Sequence, residues 1–200
     1  MLPMSVSHAI LPAPAYTYAE FRALVDELAA AHRTSGPDQT PALIRFTEQN
    51  RAHLDRAYAL PLLPELVARL RHLAAPQSWL VLAEAWCGDT AHELLLLARL
   101  AESSAGQVRL HVLLRSDHPA LIAAHQTEGK NSIPKLIVQD AATGQVLAEW
   151  GPRPAAAQAL AQRLHADPAM YATAIVRQMN ELYAADQGES MQRELLTVLK

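Results

Sequence analysis

The chain contains a single cysteine, Cys87, in the stretch Trp86-Cys87-Gly88-Asp89-Thr90. Just before it lies the apolar run Trp79-Leu80-Val81-Leu82-Ala83, and just after it the apolar stretch Ala91 to Ala101. A short continuous apolar run reads as a strand buried on both faces, and the longer stretch reads as a helix. Cys87 therefore sits where a strand ends and a helix begins. A helix start offers unpaired backbone N–H groups and the positive end of the helix dipole, and both favour a thiolate over a thiol. Such a position can draw a cysteine from about 8.5 toward roughly 7, which would make Cys87 a nucleophile for thiol–disulfide exchange. Gly88 would let a partner chain approach the sulfur. The Thr90 hydroxyl, one turn on, could donate to the thiolate. The Asp89 charge suits the helix start but opposes a thiolate beside it. The competing reading is that Cys87 is a small buried apolar residue.

Other groups belong near the same junction. Glu84 closes the strand and could take a proton or simply face solvent. Arg115 follows a second predicted strand, Val108 to Leu114, and is expected to pair with Glu84 or Asp89 as second-layer support or as a plain surface ion pair. Trp86 could shield the sulfur, touch a partner or fill the core. Arg153 could hold an anionic group. Nine histidines invite a metal search. His111, His118 and His125 do not share one helix face, because Pro119 and a strand-to-helix change separate them, so no metal site is expected.

The elements that must position these residues follow from periodicity. Thr17 to about His32 is helical, with Thr17 and Glu20 as a capping box. Thr40-Pro41 opens a second helix reaching Ala59, and Leu62 to Leu73 forms a third. The first 16 residues read as an extended lead with little structure. Asp117-His118-Pro119 opens a short helix to Ala124. Lys135 to Gln139 and Val146 to Trp150 are strands joined by a turn at Ala142-Thr143-Gly144. Pro154 to His165 is a helix, and the tail from about Pro168 forms two helices broken near Asp186-Gln187-Gly188. Strand–helix–strand predicts a parallel pair with a right-handed crossover, and the hairpin adds an antiparallel edge.

Trp86-Cys87-Gly88-Asp89-Thr90 resembles the Trp-Cys-Gly-X-Cys motif of thioredoxins, with Thr90 in place of the second cysteine. Ile133-Pro134 resembles the cis-proline loop of that family. Glu84 to Asp89, Leu114-Arg115-Ser116-Asp117, Ser132 to Ile137 and Trp150 to Pro154 together resemble a bacterial thioredoxin-like group with a Trp-Cys-Gly-Asp motif. The resemblance implies an α/β thioredoxin-like fold: a central mixed sheet of about four strands flanked by helices, with extra N-terminal and C-terminal helices. It also implies that Pro134 packs against the sulfur and that Ile133 pairs through its backbone with a bound peptide. Trp86 and Gly88 would then line the substrate face. The buried Asp that thioredoxins carry six residues before the first cysteine is Val81 here. Loss of that proton shuttle agrees with loss of the resolving cysteine.

The chain is thus expected to form one structural domain: residues 1–75 a lead and helical extension, 76–166 the core and 167–200 a C-terminal extension. The added helices would cover the sheet, form a homodimer face or, less simply, act as a lid over Cys87. Its expected activity is monothiol thiol–disulfide exchange by Cys87, with Asp89 and Thr90 tuning the thiolate. The partners would be protein or small-molecule disulfides. No bound cofactor is expected, and an external thiol such as a low-molecular-weight thiol would resolve the adduct. The alternative is a redox-inactive or redox-sensing protein-binding module. Half the residues are apolar, 18% are charged and the net charge is −3, which argues against a large basic nucleic-acid surface. The longest apolar runs are far too short to span a bilayer. With one cysteine and no Lys or Arg before Arg22, a cytoplasmic location is expected.

Overall fold

A computed structural model describes residues 11–54 and 60–199. The element order is α1 (Tyr18–Ala30), α2 (Pro41–Leu54), α3 (Pro64–Arg71), β1 (Gln77–Ala83), α4 (Gly88–Ser103), β2 (Val108–Leu114), α5 (Pro119–Ala124), β3 (Lys135–Asp140), β4 (Val146–Trp150), α6 (Ala155–Ala166), α7 (Ala172–Asp186) and α8 (Glu189–Val198). The expected continuation of α2 to Ala59, most of the lead and Lys200 lie outside the described residues.

The four strands form one mixed sheet in the order β2-β1-β3-β4. β1 runs parallel to β2, with Val81 opposite Val112, and antiparallel to β3, with Val81 opposite Leu136. β3 and β4 form the antiparallel hairpin, with a register shift between Val138 and Gln139. This is the mixed α/β sheet flanked by helices that the sequence predicts.

Strand alternation divides the core into two layers. Trp79, Val81 and Ala83 face one side, where they pack with Phe21 and Val25 of α1, Leu66 and Leu70 of α3, and the α4 leucines. Val81 is fully buried there, in the layer opposite the one that holds Cys87. Leu80 and Leu82 face the other side with Leu113, Ile122, Ile137 and Cys87. Leu94, Leu95, Leu96 and Leu97 are all buried, so α4 is enclosed around most of its girth, with His92, Arg99 and Ser103 half-exposed along one narrow stripe. A third, smaller cluster joins α6 to α7 through Ala157, Ala161, Leu164, Met179 and Tyr183.

The lead is more ordered near its end than the sequence suggests. Tyr16 exchanges both backbone hydrogen bonds with Val112 on the outer edge of β2, at 2.8 and 2.7 Å. The C-terminal helix is pinned to α3 by polar contacts. Gln192 is buried, accepts from the Leu63 N–H at 2.8 Å and donates to the Pro61 carbonyl at 3.0 Å. Gln192→Ala would strand both groups, and we expect a loss of about 1–3 kcal/mol, read from the denaturant midpoint at unchanged slope. Among the described residues no helix is long and apolar enough to cross a membrane.

Candidate functional site

The turn between β1 and α4 is set by Glu84. Its carboxylate is buried, accepts from the Ser116 N–H at 2.8 Å and from the Ser35 hydroxyl. Ser35 Oγ in turn accepts from the Ala85 N–H at 2.8 Å, and Asn50 Nδ2 donates to the Ala85 carbonyl at 2.9 Å. Glu84 is therefore neither solvated nor aimed at the sulfur. It ties the α1–α2 loop to the exits of β1 and β2. Sequence reasoning missed Ser35 and Asn50, because nothing local marks them.

Cys87 caps the N-terminus of α4 in extended conformation, at φ −79° and ψ 115°. Only 6% of it is exposed. Its S–H donates to the Ile133 carbonyl at 3.4 Å, and the Ile133–Pro134 bond is cis. The Thr90 hydroxyl is buried with no hydrogen-bond partner in this resting state. Burial pushes the Cys87 thiol up to about 11, and the Asp89 carboxylate adds to the rise. The Thr90 hydroxyl, the Thr90 N–H and Arg153 pull the other way and do not compensate. This reverses the expected lowering. A helix N-terminus contributes a fraction of a kcal/mol to about 2, whereas desolvation of a buried thiolate can be worth several pKa units.

Arg115 pairs with neither Glu84 nor Asp89. Its guanidinium lies 5.1 Å from the centroid of the Trp86 ring, and Nη1 donates to the Asn131 carbonyl at 3.1 Å. Glu84 is already occupied, and Trp86 offers a cation–π surface instead. The partner of Asp89 is Arg153, at 2.6 Å. The Tyr183 hydroxyl donates to the other Asp89 oxygen at 2.8 Å. Burial and the Asp89 charge both push the Tyr183 hydroxyl up, keeping it protonated. Arg153, expected as an anion holder, thus spends its charge within the protein. The Tyr183 ring stacks on His92 at 4.3 Å, and His92 Nε2 donates to Asn180 Oδ1 at 2.9 Å.

These groups surround a cavity of about 710 Å³. Cys87, Gly88 and Asp89 reach it from the helix start, and Trp86, Arg115 and the Lys130–Ile133 loop from one side. Leu43, Phe46, Asn50 and His53 of α2 line it too, as do Ile175, Val176, Met179 and Asn180 of α7. Of the added helices, expected to cover the sheet, form a dimer face or act as a lid over Cys87, α1 and α3 pack on the sheet, while α2 and α7 wall the space beside Cys87. Gly88 is exposed, and a Cβ there would meet nothing within 4 Å. His118 and His125 lie apart from the cavity, bonded to the Pro14 carbonyl at 2.8 Å and to Glu149 at 2.7 Å. Among the described residues no three His, Cys, Asp or Glu side chains are grouped to hold a metal ion.

The mixed sheet, the helix-capping cysteine and the adjoining proline loop define a thioredoxin-like domain. A family model described as thioredoxin matches residues 36–166, and the chain belongs to that family. A comparison with curated proteins found no match. Among solved structures the chain is similar to PA1234, a protein of unknown function from Pseudomonas aeruginosa. The two share 19% identity at a TM-score of 0.53, over 92% of this chain and 97% of that one. It is also similar to an HIV epitope scaffold, at 19% identity and a TM-score of 0.51, over 92% and 98% of the two chains. These likenesses concern the fold alone.

Proposed function

We propose that the protein is a thioredoxin-fold binding module whose cleft receives its ligand beside a protonated Cys87. The observation that carries this reading is the burial of the sulfur against the Ile133 carbonyl, at the edge of a ready-made cavity. With the thiol near 11, only about one molecule in 10,000 is thiolate at pH 7. A thiol at the ordinary 9.0 is roughly 1% ionised. The more basic thiolate is intrinsically better by only about six- to tenfold, so net exchange is roughly 10- to 15-fold slower than for a free cysteine. Acidity therefore gives Cys87 no catalytic advantage. A reducing compartment such as the cytoplasm suits a single thiol of this kind.

The second reading is monothiol exchange, and the Thr90 hydroxyl favours it, being buried, unpartnered and beside the sulfur. In that reaction the Cys87 thiolate attacks a disulfide, one partner sulfur leaves as thiolate, and a mixed disulfide forms. An external thiolate then attacks the mixed disulfide, leaves joined to the partner and returns Cys87 as thiolate. Asp89 and Thr90 would tune the sulfur, and Ile133 and Pro134 would seat the partner.

Alkylation of Cys87 across pH separates the two. The expected midpoint is about 11. A midpoint below about 8.5, together with partners trapped only through Cys87, would overturn the binding-module reading in favour of exchange.

A further inference from the structure

The charge lining the cleft is opposite in sign to the charge of the chain. The whole sequence carries −3. The cleft is lined by the cations Arg115, Lys130 and Arg153 and by one carboxylate, Asp89. Asp89 is taken by Arg153 and Tyr183. Among the described residues, neither Arg115 nor Lys130 has a carboxylate partner. Arg115 is also held in place by Trp86 and the Asn131 carbonyl. A guanidinium fixed by stacking loses little freedom when it pairs, and its fork of donors matches a carboxylate.

The walls from α2 and α7 are of a different kind. Leu43, Phe46, Ile175, Val176 and Met179 present apolar surface to the same space. A second cavity of about 940 Å³ continues between these helices and shares Phe46, His53 and Val176 with the first. A volume of this order is typical of small-molecule sites.

We propose that the cleft binds a small anionic amphiphile, with its carboxylate head at Arg115 and Lys130 and its aliphatic body along α2 and α7. This rests on the cleft being the ligand site proposed above. The two cations select the charge of the head. The apolar helix faces supply affinity without regard to charge.

Decanoate, 1-decanol and decyltrimethylammonium are suitable probes, titrated at pH 8 and low salt and followed by calorimetry. Decanoate is expected to bind saturably with one site per chain, at least tenfold more tightly than decanol, while the cation binds least. The double variant Arg115→Gln, Lys130→Gln should weaken decanoate about tenfold and leave decanol unchanged. Val176→Asp should weaken both. Rising salt should erode only the decanoate preference. Equal affinity for decanoate and decanol, no saturable binding, or a double variant that binds decanoate like the parent chain would each overturn the proposal. The Cys87 alkylation midpoint is read separately. A low midpoint with an intact charge preference removes the protonated-thiol reading and keeps this one, whereas a midpoint near 11 without the preference does the reverse.

Discussion

Gly151→Ala is expected to lower the thermal midpoint by roughly 10 °C, through a loss of about 3–5 kcal/mol. Gly151 has φ +111°, a conformation open to glycine and strained for other residues. A Cβ there would lie 2.3 Å from the Pro134 carbonyl oxygen, 3.3 Å from its carbon and 3.5 Å from Lys135 Cα. All three are backbone atoms at the start of β3 and cannot swing aside. Gly188 provides the contrast: its Cβ would also meet an atom at 2.3 Å, but that atom is Leu96 Cδ2, the end of a flexible side chain. Gly188→Ala should therefore cost clearly less. Thermal and denaturant unfolding of the two variants checks the ranking. Equal losses would mean that the Pro134 loop can retreat from Gly151.

Asp89→Asn should lower the Cys87 midpoint from about 11 by roughly 1–2 pH units. The substitution removes a like charge beside the thiolate and leaves Arg153 positive and uncompensated. Tyr183→Phe serves as control, because it keeps the Asp89–Arg153 pair and should move the midpoint far less. An unchanged midpoint in Asp89→Asn would assign the whole rise to desolvation. The same thiol links stability to pH. Its folded value lies above the ordinary 9.0, so the folded state holds the proton more tightly than the unfolded chain. The resulting stabilisation is complete below about pH 9 and is lost as pH rises toward 11. About 2–3 kcal/mol is at stake; Cys87→Ala should lack this share and keep only the loss that Tyr183, whose hydroxyl is also pushed up, adds above about pH 10.

The frame of the molecule is legible in the sequence because it rests on local patterns. β2 and β4 span the residues the sequence predicts for them, Val108–Leu114 and Val146–Trp150, and the tail helices break at Gln187 and Gly188, both with positive φ. Thr17 and Glu20 mark a helix start because both capping partners lie within one turn, with the Thr17 N–H donating to Glu20 Oε2 at 2.7 Å. The position of Cys87 at the start of α4 follows from the same kind of pattern.

The environment of Cys87 is not legible in that way. Asp89 meets Arg153 and Tyr183 across the fold, and no spacing rule links a helix start to the chain tail. Arg115 and Glu84 look paired in sequence because both close neighbouring strands. Glu84 is instead claimed by Ser35 and Ser116, and Arg115 lies over Trp86. The direction of the thiol shift is hidden for a related reason. The helix dipole is a local feature that can be read from a motif. Desolvation depends on everything packed around the sulfur, including Ile133 from a distant loop.

The bridge between Tyr16 and Val112 bears on how the molecule behaves in company. A mixed sheet of four strands has two open margins, here β2 and β4. An open margin invites a strand from another molecule. Tyr16 already occupies the donor and acceptor of Val112 on the β2 margin, so a foreign strand could pass that point only by first displacing the lead. The β4 margin is only five residues long, and the chain shifts register beside it. It nevertheless leaves Leu147 about half exposed. Crowding therefore bears unequally on the two sides of the sheet, and a segment that looks like mere approach to the first helix blocks the β2 margin at one point.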